Sequence, residues 1–356
     1  MSQPQAGTPK AEKPDKSAFP GTSAIAAILR EPRTEILGRA RRGGIMFPFL
    51  VLFIVLSISS GPFFTKANLL AILDQQASTL IIAAAGTLVL VAGGIDLSVG
   101  ATYALASVVA TKLALSSSPV LAILAGIAVG LVVGLVNGVI ATFFRINSLI
   151  ATLAMSFVIA GLASLATSGN LIIAYTALGY AALARTSFLT VNTSTWTMIA
   201  VVIALGVVLS RTIAGRYMYA AGSNAEAARL AGVRVQLIRL VTFVISGGVA
   251  ALGGIIDASR VLSAQASNGQ TTLTFTVLAG IVVGGTSILG GEGAIWRTVV
   301  GVLFIALIGN GFVLLACLCG GFALKMREEE RLMTEHFPDR YPAYRARVKA
   351  IVPYVL

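Results

Sequence analysis

From residue 46 onward, long apolar runs alternate with short polar joints, and few positions inside the runs carry charge. Runs of about 20 apolar residues with almost no charge mark transmembrane helices. The pattern predicts spans near 46–62, 69–93, 99–115, 119–142, 147–168, 195–210, 238–258, 273–289 and 296–316. The expected fold is all-α: a polytopic membrane helix bundle of about nine spans, with one short helix outside the membrane.

Charge sharpens this picture. Between Gly44 and Ala316 the acidic residues are Asp74, Asp96, Glu226, Asp257 and Glu292, in a chain that is 56% hydrophobic and 11% charged. A formal net charge of +12 could suggest nucleic acid, but 15 of the 26 basic residues fall in the N-terminal arm and in loops predicted to face the cytoplasm. The positive-inside rule accounts for them without nucleic acid. Cys317 and Cys319 offer no disulfide framework and too few ligands for a metal. Residues 1–22 lack the apolar core of a signal peptide. Residues 1–44 therefore read as a cytosolic, largely disordered basic arm, 45–316 as the transmembrane domain, and 317–356 as an atypical charged tail. Arg39, Arg41 and Arg42 directly precede the first span and place its N-terminus inside.

One polar island interrupts the apolar runs: Ser223-Asn-Ala-Glu-Ala-Ala-Arg-Leu-Ala-Gly232. Ser223 and Glu226 have the spacing of a capping box, and Gly232 stands where a helix stops. Arg211, Arg216, Arg229, Arg234 and Arg239 surround it, which favours the cytoplasm. Six spans precede it, so span count agrees with charge. A small capped helix presented there suits a cytosolic partner. Outside loops then carry Lys66, Lys112, Arg185 and Arg260. The longest of them, about 169–194, holds Tyr175, Tyr180, Arg185 and Asn192; it either covers a pore mouth or docks an external partner, or it is a plain connection.

The fourth span carries Gly126, Gly130, Gly134 and Gly138 at four-residue spacing. This smooth stripe is a packing face, where small residues let helix backbones approach closely. Gly93-Gly-Ile-Asp96-Leu-Ser98-Val-Gly100 is different. Glycine pairs loosen a helix, and a carboxylate at membrane depth is costly. Asp96 and Ser98 are thus candidates for a translocation path; the alternative is a tight turn with Asp96 as a cap. A similar break recurs at Gly284-Gly-Thr-Ser-Ile-Leu-Gly-Gly-Glu-Gly293, and paired interruptions point to internal repeats in transporters.

No G-x-x-x-x-G-K-[ST] phosphate loop is present, so ATP hydrolysis by this chain is not expected. His336 is the sole histidine, which removes His-based triads and most metal sites. No chain of acidic groups suggests a proton relay. The remaining options are a passive channel, an ion-driven carrier, or one subunit of a machine powered elsewhere.

Three segments resemble the permease subunit of bacterial ribose-type (carbohydrate) ABC importers. They are Gly86-Thr-Leu-Val-Leu-Val-Ala-Gly-Gly-Ile-Asp-Leu-Ser-Val-Gly100, Tyr219-Ala-Ala-Gly-Ser-Asn-Ala-Glu-Ala-Ala-Arg-Leu-Ala-Gly232 and Val282-Val-Gly-Gly-Thr-Ser-Ile-Leu-Gly-Gly-Glu-Gly293. The resemblance covers roughly 46–315. It implies about ten spans and a second permease copy, identical or a paralogue. It also implies an ATP-hydrolysing subunit and an external, periplasmic sugar-binding protein. Glu226, Ala227, Ala228 and Gly232 match the family's coupling-helix pattern, and Ser223 and Arg229 belong to the same helix by the reading of its caps. No cofactor is expected in this chain, because ATP would be bound by the partner subunit.

After Leu315 the resemblance implies another span, but residues 325–356 are polar and charged. Glu328 to Val348, followed by Val352-Pro353, resembles the end of isoprenylcysteine-type membrane methyltransferases, without the His-Pro cofactor motif expected upstream. A fusion, a frameshift, a composite sequence or an ordinary amphipathic tail all fit. The expected protein is a multi-pass permease of the bacterial cytoplasmic (inner) membrane for a ribose-like pentose, a hexose or a polyol. It is a transport subunit and not an enzyme; the alternatives are a membrane methyltransferase fragment or an ion-coupled carrier.

Overall fold

The protein is described by a computed structural model covering residues 44–144, 146–267 and 270–336. Most of the arm read over 1–44, and most of the methyltransferase-like stretch, lie outside the described residues. The helices run α1 (Met46–Ser59), α2 (Lys66–Val91), α3 (Val99–Ala114), α4 (Pro119–Thr142), α5 (Ser148–Thr167), α6 (Leu178–Arg185), α7 (Thr193–Arg211), α8 (Ile213–Ser223), α9 (Ala225–Leu230), α10 (Val235–Val261), α11 (Gln270–Val283) and α12 (Ile295–His336). Four two-residue strands form two antiparallel pairs, β1 (Ile172–Ile173) with β4 (Ser263–Ala264) and β2 (Ser187–Phe188) with β3 (Val191–Asn192). The chain is a polytopic helical bundle: among the described residues six helices are long and apolar enough to cross a membrane, and α1, α3 and α11 are shorter apolar helices.

Local chemistry sets many of the boundaries. Thr65, Ser118 and Asn147 each accept a backbone N–H at the start of α2, α4 and α5, and Pro119 opens α4 where its missing N–H costs nothing. At 1.5 Å per residue α4 is about 36 Å long, enough for a bilayer core. By the same measure α3 and α11 are only about 24 and 21 Å long. Both adjoin irregular backbone at a glycine-rich break, 92–98 before α3 and 284–294 after α11. The sequence reading ended a span at 316 and began a tail at 317. The helix instead runs unbroken from Ile295 to His336: it contains no proline, and it continues through Gly309, Gly311, Gly320 and Gly321 into the charged turns.

Several helix crossings rest on close backbone approach. A Cβ at Gly130 would lie 2.3 Å from the carbonyl oxygen of Gly247, and one at Gly134 would lie 2.4 Å from that of Phe243. Gly126 faces Ile255 and Gly138 faces Leu240, so the whole stripe of α4 lies on α10. A second crossing repeats this geometry: a Cβ at Gly301 in α12 would be 2.2 Å from the carbonyl oxygen of Gly280 in α11. Lipid supplies no hydrophobic drive between helices, so van der Waals contact and interhelical hydrogen bonds must hold them. The buried pair Thr87–Thr298, at 2.8 Å, ties α2 to α12 in that way.

At the end of the bundle away from α9, residues 169–194 are not a bare connection. β1 pairs with β4, Tyr180 is fully buried with its hydroxyl donating to the carbonyl of Ile255 at 3.2 Å, and Arg185 donates to the carbonyl of Arg260 at 2.8 Å. Tyr175 stays exposed on this cap, and Asn192 closes β3 at the start of α7.

Candidate functional site

The short helix α9 forms where the polar island predicted it, but with different caps. α8 continues through Ser223, whose hydroxyl donates to the carbonyl of Tyr219 one turn earlier. Asn224, in extended backbone, is the N-cap instead, and its Oδ1 accepts the N–H of Ala227 at 3.0 Å. Glu226 does not reach back to complete a capping box. It pairs with Arg229, whose Nη2 and Nε donate to its two carboxylate oxygens at 2.6 and 3.2 Å. That pair holds the Glu226 carboxyl below the usual carboxylate range; being exposed, it contributes little to stability. Gly232 takes φ +84°, and the N–H groups of Gly232 and Val233 return to Arg229 and Ala228 in a Schellman-type stop. Ala228 is buried beneath the helix, while Glu226, Ala227, Arg229, Leu230 and Gly232 are exposed. Leu230 is 78% exposed. A groove of about 820 Å³ runs beside α9 to Phe143 at the end of α4.

Beneath α9, three distant segments meet through glycines. The N–H of Gly291 donates to the carbonyl of Val91 at 2.9 Å. A Cβ at Gly222 would fall 1.9 Å from that same oxygen. Gly290, at φ +91°, would place its Cβ 2.9 Å from the Cα of Gly93. The Tyr219 hydroxyl donates to the carbonyl of Gly293 at 2.7 Å. Arg239 fastens the junction: its Nε donates to the carbonyl of Ala92 at 3.0 Å and its Nη2 to that of Ala221 at 3.3 Å. One guanidinium thus satisfies carbonyls at the C-terminal ends of both α2 and α8, where a cation also suits the helix dipoles.

The break that follows runs inside the protein. Asp96 accepts from the Ser98 N–H at 3.0 Å and the Ser98 hydroxyl at 2.7 Å, both on Oδ1, and from the Ser246 hydroxyl at 2.9 Å on Oδ2. Asn137 of α4 donates to the Ser98 hydroxyl at 2.7 Å. The side chains of Ser148 and Thr152 in α5 accept the N–H groups of Ile95 and Leu97 at 3.0 Å each. Irregular backbone at membrane depth requires such partners. Asp96 and Ser98 are therefore brought together with α4, α5 and α10, and the half-buried carboxylate is engaged within the chain. On one side of the break, Gly93 and Gly94 line a pocket of about 390 Å³ with Asn147, Gln236 and Arg239. On the other, Leu97 and Ala101 line a smaller one of about 120 Å³ with Ser156, Phe157, Thr271, Thr274 and Phe275.

Comparison with known proteins fixes the family. Residues 68–326 match the family described as the permease component of branched-chain amino acid transport systems. A ribose import permease protein of Escherichia coli strain K12 is 37% identical over 276 residues, covering 76% of this chain and 85% of the relative. A ribose import permease protein of Bacillus subtilis strain 168 is 40% identical over 273 residues, covering 75% and 84%. An L-arabinose ABC transporter permease protein of Azospirillum brasilense is 35% identical over 275 residues, covering 77% and 80%. No solved structure matches the chain.

The chain belongs to the ribose-type permeases of ABC importers. It is a transport subunit of a sugar importer and a multi-pass inner-membrane protein. The family match runs to Met326, past Leu315 where the sequence reading expected the resemblance to end. In this permease the sequence reading singled out α9, the glycine stripe and the Asp96 break. It passed over Arg239, counted only among the loop charges, and the buried partners Asn137 and Ser246. A polar side chain inside an apolar run is the signal that would have found the last two.

Proposed function

We propose that this permease forms the translocation path of a ribose- or arabinose-type sugar importer, with a second permease copy completing the path. An ATP-hydrolysing subunit docks on α9 from the cytoplasm, and a periplasmic sugar-binding protein delivers cargo at the opposite end. The N-terminus lies in the cytoplasm, as the Arg39, Arg41 and Arg42 cluster favours. ATP binds the partner subunit, and this chain carries no cofactor of its own.

The observation that carries this reading is the junction under α9. The exposed helix α9 follows directly on α8, and α8 meets the start of the loop between α2 and α3 through backbone contacts at Gly222 and Gly291 and through Arg239, which bonds both Ala92 and Ala221. A push on α9 therefore reaches the Asp96 segment through α8, by these backbone contacts and the Arg239 guanidinium. Asp96 and Ser98 hold that segment to α4 and α10, and so act on the path from behind its wall. The test is reconstitution in proteoliposomes with an ATPase subunit and a sugar-binding protein. ATP-dependent accumulation of ribose, arabinose, a hexose or a polyol supports the proposal. Uptake that continues without ATP identifies an ion-coupled carrier instead, and S-adenosylmethionine binding by the purified chain would point to methyl transfer.

A further inference from the structure

The outer faces of most helices in this bundle carry aliphatic side chains. α4, for example, exposes Leu121, Leu124, Val132 and Leu135. The first turns of α11 do not follow suit. They read Gln270-Thr-Thr-Leu-Thr-Phe-Thr276, with Thr271, Thr272 and Phe275 exposed. Phe157 of α5 is 71% exposed and Phe275 is 57% exposed, and both line the same small pocket. Hydroxyls at this density are poorly placed against lipid tails, and aromatic faces beside hydroxyls are chemistry for a ring that carries both C–H faces and OH groups.

The second observation is topological. The pocket lies where two interrupted helices meet: the N–H of Gly100, in the first turn of α3, donates to the Thr274 hydroxyl in the first turns of α11 at 3.1 Å. Both helices are too short to cross a bilayer core alone. Discontinuous helices that meet at membrane depth build the substrate sites of transporters. At about 120 Å³ the pocket is far below the roughly 300 Å³ of an enclosing ligand site. It is one wall of a site, open on its remaining side.

We propose that this wall, formed by Ser156 and Phe157 of α5 with Thr271 and Phe275 of α11, is the monosaccharide-contact surface of the path. A second copy closes its open side. The inference rests on the proposed transport function and names the surface through which that function reaches the sugar. Contact by exposed hydroxyls and two rings is weak and multiple, which lets a sugar rest without trapping it.

The test uses the complex of permease, ATPase subunit and binding protein, with Cys317→Ser and Cys319→Ser in the parent. Thr271→Cys, Phe275→Cys and, as a control on the outer face of α4, Val132→Cys are each treated with the membrane-impermeant reagent methanethiosulfonate ethylsulfonate. The expected result is rapid modification at 271 and 275, none at 132, and at least threefold slower modification at 271 when binding protein loaded with D-ribose or L-arabinose is present with ATP. Phe275→Ala is expected to lower uptake at least tenfold, with binding-protein-stimulated ATP hydrolysis within twofold of the parent. In a parent that transports sugar, modification at 271 and 275 no faster than at 132, or unaffected by sugar, overturns the inference and leaves the proposed function standing. A parent that takes up no pentose, hexose or polyol with ATP overturns the proposed function, and this inference with it.

Discussion

Arg239 donates its Nε–H to the carbonyl oxygen of Ala92 at 3.0 Å, across 147 positions of sequence. The same guanidinium bonds Ala221, so α10 holds the ends of α2 and α8 together immediately beside the break. A charge that hydropathy treats as a mere topological marker is thus a fastener between the exposed helix and the interrupted span.

Arg239→Gln is expected to lower uptake at least tenfold while leaving membrane insertion largely intact. Glutamine cannot span both carbonyls, and each buried carbonyl left without a donor costs about 1–3 kcal/mol. Arg239→Lys should restore only part of the loss, since an ammonium is a compact point charge without the planar fork. The informative measurement is the ratio of sugar moved to ATP hydrolysed. If Arg239→Gln lowers both in parallel, the residue serves stability and not the connection between α9 and the break.

The cap of α9 separates two neighbouring residues. Asn224→Ala removes the acceptor for Ala227 and is expected to cost about 1 kcal/mol of local helix stability. Ser223→Ala removes only a hydroxyl bonded back into α8 and is expected to be nearly silent. Amide hydrogen exchange across 224–231 reads the difference directly. Protection lost in Ser223→Ala and kept in Asn224→Ala would return the cap to Ser223.

Glu226→Lys sets a positive charge in the first turn of α9, where the helix dipole disfavours it, and removes the partner of Arg229. Pull-down of the ATPase subunit is expected to fall while the permease still inserts. The pH dependence has a definite sign. Arg229 holds the Glu226 carboxyl below its ordinary value of 4.5, so the pair's contribution is full above that pH. It is lost only as pH falls through the lowered value of the folded state. Docking that changes between neutral and mildly alkaline pH must therefore have another cause.

Glycine substitutions in α4 and α7 should split cleanly. Gly130→Leu and Gly134→Leu drive side chains into the carbonyls of Gly247 and Phe243 and are expected to abolish most folded protein. Gly206→Ala in α7, with nothing within 4 Å of the added carbon, should be neutral or stabilising by up to about 1 kcal/mol. Fluorescence-detected size-exclusion profiles after heating distinguish the two classes. Normal melting of Gly130→Leu would mean that α4 does not lie against α10 in the membrane.

Asp96→Ala leaves the Ser98 N–H, the Ser98 hydroxyl and the Ser246 hydroxyl without their shared acceptor. A larger loss of stability is expected than for Ser246→Ala, which removes one of the three bonds. Asp96→Cys in the cysteine-free background should react slowly with a bulky impermeant thiol reagent from either side. Fast reaction from the cytoplasm in every state would make this segment an open surface turn.

The spans, the short helix and the glycine stripe were legible because each is a local pattern. An apolar run of bilayer length, a polar island ended by Gly232, and a four-residue glycine period need no knowledge of the rest of the chain. The membrane itself hides what remains. In lipid, a face that packs on another helix and a face that meets acyl chains are both apolar, so hydropathy does not say which helix meets which. Only the tertiary structure shows that Gly93, Gly222 and Gly290–Gly291 close on one another, that Asp96 reaches α10 and Ser98 receives Asn137 of α4, and that α12 runs through the boundary that charge suggested at 317. It also moved the cap from Ser223 to Asn224, because α8 keeps its helical bonds one residue further than the capping pattern allows. Close backbone approach and hydrogen bonds across more than a hundred positions decide these features, and neither leaves a periodic trace in the sequence.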